Sequence, residues 1–250
     1  MKYELLELKT PVIKSIGFGE IGNSAISYMG ESNLKVGKLD STAYQDPNGR
    51  RKDIDLLFLT ASTKDNAALD ELLKAAKIAN TLNALTMAIV ESDQGSVISE
   101  LQGIVDSFII FPKITGRSYN ELFLETVQVI VDIITQVGIV NLDFSDLKDL
   151  TQNSGRCVIG SGVASGENKA QKAVEELLSS DLLRSVNFRT MDGILINISS
   201  ACLSVDDFDG VLSPITKLVS DKAIIKVSTT INEELTDTVK VSILCAGIGN

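Results

Sequence analysis

Histidine is absent from this 250-residue sequence. Its absence excludes Ser-His-Asp and Cys-His nucleophiles, and it excludes every metal site that needs an imidazole ligand from this chain. Any catalysis must therefore use carboxylates, lysines, hydroxyl groups or backbone amides.

Basic residues are outnumbered and scattered. The sequence holds 23 lysines and arginines against 33 aspartates and glutamates, which gives a net charge of −10. No basic block stands out, and binding to a nucleic-acid backbone depends on clustered basic charge. We therefore expect no nucleic-acid partner.

Long apolar runs and metal-type cysteine spacings are missing as well. No run reaches the roughly 18 residues of a membrane span, and no signal peptide opens the chain, so we expect a cytoplasmic protein without direct membrane binding. Cys157, Cys202 and Cys245 lie far apart in apolar stretches. We expect buried structural thiols in a reducing compartment, and we predict no metal site.

Hydrophobic residues make up 44% of the chain and are concentrated in short runs. Four such runs, separated by helical patterns, predict a parallel sheet covered on both faces. Thr63 or Asp65 is the expected N-cap of the helix after the second run. The four runs are residues 12–17, 54–60, 84–90 and 107–111.

Residues 118–137 have a helical pattern with one narrow polar stripe. The stripe consists of Glu121, Glu125, Gln128, Asp132 and Gln136. A helix that is apolar around most of its circumference is buried on most sides. We therefore predict a long central helix, residues 117–140, between a Rossmann-like domain of residues 1–116 and a second domain of residues 141–250.

The second half of the chain has a different pattern. An amphipathic helix lies between its first two predicted strands, and a weaker helix at 205–220 contains Pro214. The half is therefore predicted to be a smaller α/β domain with a mixed or antiparallel sheet. Its predicted strands are residues 156–164, 193–199, 223–231 and 238–246.

Three spaced glycines follow the first predicted strand and open a predicted helix. Gly17, Gly19 and Gly22 therefore stand where a phosphate-binding loop requires them. A tight turn without a ligand explains the same pattern, and Glu20 in the loop would repel phosphates. A dinucleotide site with Asp40 as the ribose acid also stays open, although no convincing strand leads to that residue.

Two acids three residues apart, Asp143 and Asp146, mark the point where an apolar run stops and a helical pattern resumes. This spacing is close to that of a capping box at a helix start. An acid in that position is also exposed and rigidly held, so capping is compatible with a functional role.

One succession of motifs is specific. Residues 141–147 read NLDFSDL, and a strand, a GENK turn at 166–169 and an Ala-rich helix ending in SSDLL follow. This succession, together with the apolar runs of the first half and the closing strands, resembles FtsZ, the bacterial relative of tubulin. The resemblance spans the whole chain and implies an FtsZ/tubulin-like α/β fold.

The resemblance also implies a shared active site. In that family GTP is hydrolysed between subunits, because the loop after the central helix completes the nucleotide site of the next subunit. Asn141, Asp143 and Asp146 would then be the catalytic residues, acting by positioning and electrostatics. Magnesium would bind only together with nucleotide. The residues that would hold the nucleotide are Gly17, Gly19, Gly22, Asn23, Thr63 and Asn120.

The sequence departs from the family in the half that would hold GTP. Residues 60–72 lack every glycine of the family's phosphate loop, and Asp65 opposes an anion there. Residues 30–53 are fewer than in the family, and Gly116 aligns with an aromatic residue that stacks on the base. The loop at 141–146 is intact.

We therefore expect a divergent FtsZ/tubulin-like cytoskeletal protein that associates longitudinally with itself or with a conventional FtsZ. Its own GTP hydrolysis is expected to be weak or lost, and binding of GTP or GDP is left open. Two alternatives remain. One is an active GTP-hydrolysing filament protein with a remodelled phosphate site, and the other is a Rossmann-type protein that binds a small ligand.

Overall fold

The computed structural model describes residues 10–39, 54–92, 97–112, 116–184 and 186–248. The strands in these ranges are β1 Ile13–Gly17, β2 Gly37–Lys38, β3 Leu56–Ser62, β4 Leu85–Glu91, β5 Ser107–Phe111, β6 Gly155–Ser165, β7 Gly193–Ser200, β8 Ile224–Ile231 and β9 Thr238–Ala246. The α-helices are α1 Gly19–Gly30, α2 Asn66–Thr81, α3 Val97–Leu101, α4 Tyr119–Thr135, α5 Phe144–Thr151, α6 Lys169–Ser179 and α7 Val205–Leu218.

The described strands form one mixed sheet in the order β2-β1-β3-β4-β5-β6-β9-β7-β8. The four apolar runs of the first half become β1, β3, β4 and β5, and all of these pair in parallel, as predicted. Every residue of β3 is buried, as expected for a strand with helices over both faces. The strand order reverses between β1 and β3, which leaves a crevice at their carboxyl ends.

The two halves of the sheet are continuous. β6 pairs in parallel with β5, through residues from Ser107 to Ile109, and in antiparallel fashion with β9. β7 is antiparallel to β9 and parallel to β8, so the second half has the mixed sheet that was predicted. The proposed domain limits at residues 116 and 140 remain predictions.

Helix α4 is the predicted central helix. Ser118 and Glu121 form a capping box that starts it, and it packs between α1 and the sheet at β6, β7 and β9. Part of its polar stripe forms hydrogen bonds to β6 or within the helix. The Glu125 carboxylate accepts a hydrogen bond from Ser161 on β6, and Gln128 donates to Asp132.

The cysteines confirm the prediction at two of three positions. Cys157 and Cys245 are buried in separate cores on opposite faces of the sheet, and burial raises the pKa of the Cys157 thiol to about 11. Cys202 is exposed in the turn between β7 and α7, so the prediction of a buried thiol is wrong there. Cys202 has apolar neighbours in the sequence, but it lies in a turn outside the strands that form the core.

The described ranges meet the requirements of neither a membrane-spanning helix nor a clustered metal site. None of their helices is both long and apolar enough to cross a membrane. Their side chains include no cluster of three or more cysteines, aspartates or glutamates arranged to hold a metal ion.

Candidate functional site

The glycine turn between β1 and α1 is packed tightly against β3. The Phe18 N–H donates to the Thr60 carbonyl over 2.9 Å. A Cβ on Gly17 would lie 2.3 Å from the carbonyl oxygen of Gly22, and a Cβ on Gly22 would lie 2.4 Å from that of Thr60. Close backbone packing therefore requires glycine at both positions, whether or not a ligand binds.

The third glycine of the turn faces a carboxylate. Gly19 has a φ of +67°, and a Cβ there would lie 2.7 Å from Oδ2 of Asp65. Oδ1 of Asp65 accepts the Ala68 N–H over 3.0 Å, so Asp65 is the N-cap of α2. Glu20 is exposed in the first turn of α1. Acidic side chains thus stand at both helix N-termini that border the crevice.

Thr63 points toward the end of β4. Its hydroxyl donates to Ser92 over 2.9 Å, and its N–H donates to the Glu91 carbonyl. The neighbouring Ser62 hydroxyl donates to the Glu91 carboxylate over 2.8 Å. Thr63 thus makes contacts within the chain, its phosphate contact stays a prediction, and sequence reasoning missed the role of Glu91.

Asn23 and Asn120 lie on the opposite border of the crevice. The Asn23 side chain donates to the Gly19 carbonyl over 2.7 Å, and the Asn120 side chain donates to Ser24 over 2.9 Å. The Asn23 contact lies within α1, whereas the Asn120 contact joins the start of α4 to α1. All six predicted nucleotide residues therefore surround the carboxyl ends of β1 and β3.

Tyr119, which sequence reasoning missed, closes the base of this region. Its hydroxyl lies 2.6 Å from that of Thr60 and donates to the Ile89 carbonyl over 2.7 Å. Desolvation raises the pKa of Tyr119 above its ordinary value. A neutral phenol therefore ties α4 to the ends of β3 and β4.

The loop at 141–146 lies at the other end of α4. The helix has 17 residues, so its two ends are roughly 25 Å apart at the usual rise per residue. Asn141 closes a small turn by accepting the Gly138 N–H over 2.7 Å and donating to the Gly138 carbonyl over 3.2 Å. One chain therefore cannot bring the loop to its own glycine turn.

The two acids of the loop form a complete capping box at the start of α5, as the capping interpretation predicted. Asp143 Oδ1 accepts from the Ser145 and Asp146 N–H groups and from the Ser145 hydroxyl, and Asp146 Oδ2 accepts the Asp143 N–H. These hydrogen bonds, with that of Ser145 foremost, hold the pKa of Asp143 below its ordinary value. Asp143 is exposed, and no group in the described ranges donates to its Oδ2.

Strand β8 holds this loop at two points that sequence reasoning missed. The Thr229 hydroxyl accepts the N–H groups of Ile139 and Val140, each over 3.0 Å. The Lys226 ammonium lies 2.8 Å from Asp146 Oδ1 and 3.3 Å from Asp149. The only signal for either residue was a single lysine within an otherwise uncharged strand pattern.

The surface around the loop is apolar as well as acidic. Val137 and Ile139 expose 78% and 75% of their surface, which is unusual for large aliphatic side chains. A cavity of about 610 Å³, lined by Val137, lies between the end of α4, the loop and the Pro11 segment. The loop thus projects from a face that offers both apolar area and an exposed carboxylate.

Known proteins match the chain in sequence. Residues 155–249 match the family model of the FtsZ family C-terminal domain. The cell division protein FtsZ of Wigglesworthia glossinidia brevipalpis is 29% identical over 273 residues, covering 96% of this chain and 69% of the relative.

Solved structures match the fold. An empty FtsZ dimer from M. jannaschii has a TM-score of 0.80 at 21% identity, covering 97% of this chain and 90% of the other. GDP-form protofilaments of TubZ from Bacillus thuringiensis serovar israelensis give a TM-score of 0.69 at 11% identity, with 95% and 86% covered. The predicted FtsZ/tubulin-like fold is therefore confirmed.

Proposed function

We propose that this chain, a member of the FtsZ/tubulin superfamily, associates end to end with a second subunit through loop 141–146 and has weak or no GTP hydrolysis of its own. One contrast carries the proposal. At the carboxyl ends of β1 and β3, the Asp65 carboxylate lies against Gly19, whereas at the far end of α4 the loop presents Asp143 to solvent.

The residues around the glycine turn do not fit a polyphosphate. Asp65 accepts the Ala68 N–H and so uses one of the amide donors that a helix N-terminus offers to an anion. Glu20 adds a second carboxylate in the first turn of α1, and both carboxylates repel an anion that approaches the turn. GTP or GDP, and the magnesium that accompanies it, are therefore expected to bind weakly or not at all.

The loop, in contrast, is suited to act on another subunit. It lies at the far end of α4, a helix roughly 25 Å long whose start borders the chain's own glycine turn, so only a neighbour's nucleotide is within its reach. Asp143 is exposed, and its carboxylate is charged at neutral pH, because the surrounding hydrogen bonds only lower its pKa further. Such a group can accept a hydrogen bond from a water molecule beside a neighbour's phosphates.

The partner is a conventional FtsZ that carries its own GTP, and self-association without nucleotide is the second form of the same contact. The exposed Val137 and Ile139 beside the loop supply apolar area for such a contact. Relatives with this fold include an FtsZ dimer and TubZ protofilaments. A subunit that docks by its loop but offers a poor nucleotide face would act as a filament cap or regulator.

An active GTPase with a remodelled phosphate site is the alternative. It is favoured by the three spaced glycines of the turn and by Asn120, which lies at the start of α4 and donates to Ser24 of α1. This alternative requires Asp65 to turn away from Gly19 when nucleotide enters.

Calorimetric titration of the purified chain with GTP and GDP, with and without magnesium, separates the two. We expect no saturable heat at millimolar nucleotide. In parallel, co-sedimentation with a GTP-loaded conventional FtsZ is expected to recover the chain, and the double variant Asp143→Ala, Asp146→Ala is expected to remain in the supernatant.

Two results would overturn the proposal. Tight nucleotide binding would establish the active-GTPase alternative. If the chain neither self-associates, nor sediments with FtsZ, nor alters its GTP hydrolysis, the docking function is refuted.

A further inference from the structure

Lys226 lies on β8, the edge strand of the sheet, and reaches α5 through space. Its ammonium is 2.8 Å from Asp146 Oδ1 and 3.3 Å from Asp149 Oδ2. The side chains of Lys226 and Asp146 expose only 23% and 28% of their surface, whereas that of Asp149 exposes 70%. The contact with Asp146 is therefore the shielded one, and it is the stronger of the two.

This contact engages the second carboxylate oxygen of Asp146. Its Oδ2 already accepts the Asp143 N–H over 2.9 Å, and its Oδ1 accepts from Lys226. The two carboxylates of the loop therefore differ. Asp143 retains one oxygen to which no described group donates, whereas both oxygens of Asp146 are engaged.

We propose that Lys226 is a positioning residue that withholds Asp146 from the nucleotide of a docked subunit. The loop then presents one available carboxylate to its partner instead of two. GTP at the contact is therefore hydrolysed more slowly than it would be with both carboxylates available. This inference rests on the proposed docking function and adds its regulation.

The rigid attachment of the loop makes this assignment specific. Thr229, three residues further along β8, accepts the N–H groups of Ile139 and Val140. Strand β8 thus holds the loop at its entrance and at its exit. Loss of the Lys226 ammonium would free Asp146 Oδ1, while Thr229 and the capping box keep the loop in place.

The test measures phosphate release from a conventional FtsZ loaded with GTP, as a function of the concentration of this full-length chain. Fitting gives a maximal rate at saturation and a half-saturating concentration. We expect Lys226→Met to raise the maximal rate about tenfold, less than the roughly 100-fold that a well-placed base contributes. The half-saturating concentration is expected to change less than the rate.

Three further variants make the result specific to the ion pair. Lys226→Arg restores a cation and is expected to return the rate to that of the unmodified chain. Asp146→Asn in the Lys226→Met background is expected to abolish the gain. Lys169→Met removes a comparable lysine, paired with Asp237 over 3.3 Å elsewhere in the same half, and is expected to change nothing.

The outcomes distinguish the two proposals. If the unmodified chain neither binds FtsZ nor changes its rate, the docking function fails. If it binds, but Lys226→Met leaves the maximal rate unchanged or only weakens binding, the inference on Lys226 alone is overturned. Thermal unfolding checks that the variants are folded, and Lys226→Gln replaces Lys226→Met if the latter is not.

Discussion

The two ends of helix α4 use similar residues in opposite ways. At its start, the carboxylates and hydroxyls near β3 and β4 pair with one another, and Asp65 lies against Gly19. At its end, the exposed Asp143 caps α5 with one oxygen, and no group in the described ranges donates to the other. Polar groups that are satisfied internally build structure, whereas a rigid group with spare acceptor capacity is suited to bind something else.

The largest effect is expected from a substitution in the glycine turn near the start of α4. Gly22→Ala puts a Cβ 2.4 Å from the Thr60 carbonyl oxygen, and overpacking against backbone is expected to cost about 3 kcal/mol. Gly30→Ala in the same helix is the matched control, because no atom lies within 4 Å of its Cβ position. Urea unfolding of both variants measures the difference, and equal midpoints would contradict the tight packing of the turn.

The second prediction concerns the other end. Asp143→Asn keeps a good N-cap but removes the charge. We expect a small loss of thermal stability at neutral pH and a loss of roughly 100-fold in any GTP hydrolysis that the chain stimulates in a docked FtsZ, because a positioned carboxylate contributes at least that much. Phosphate release is the measurement, and an unaltered rate would show that Asp143 is only structural.

The third prediction tests whether the Asp65 carboxylate excludes phosphate from the glycine turn. Asp65→Ser retains a capping side chain and removes the carboxylate beside Gly19. Affinity for GTP is expected to rise about tenfold, a small share of the Coulomb repulsion available at such short range. Asp70→Ser, at an exposed position of the same helix, is the control. Calorimetry that finds no gain in affinity would mean that Asp65 is not what excludes phosphate.

The smallest effect is expected from pH. Because the pKa of Asp143 is lowered by folding, its contribution to stability is fully present above its unfolded value of about 3.9. The contribution is lost as pH falls through the folded pKa. Thermal unfolding between pH 2 and 7 should show this loss, and Asp143→Asn should flatten that part of the profile. Coinciding profiles would argue against the hydrogen bonds around Asp143.

The opposite sign holds for Lys226. Its hydrogen bond to Asp146 raises its pKa, so the stabilising contribution is present below the unfolded value of about 10.4 and is lost as pH rises through the folded pKa. Stability is therefore expected to decrease at high pH as Lys226 loses its proton. Lys226→Met is expected to remove this pH-dependent decrease. The same unfolding scan, extended to high pH, measures it.

Local patterns predicted most of the elements. The apolar runs became β1, β3, β4 and β5, and the stripe along residues 118–137 marked α4, because burial imposes a period that can be read from the residues alone. The cap of α5 was predictable from a different local rule, because Asp143 and Asp146 have the three-residue spacing of a capping box. The exposure of Cys202 was missed because its apolar neighbours suggested a core. The ribose role considered for Asp40 falls outside the described residues.

What the sequence determined by itself is therefore the set of helices and strands, the family resemblance and the two acids of the loop. Only the tertiary structure decided which groups these acids meet. Lys226 is 80 residues from Asp146, Asp65 is 46 residues from Gly19, and β5 meets β6 across the whole of α4. Periodicity and capping act within a few residues, whereas charge pairing and close packing depend on distance in space, which no local pattern encodes.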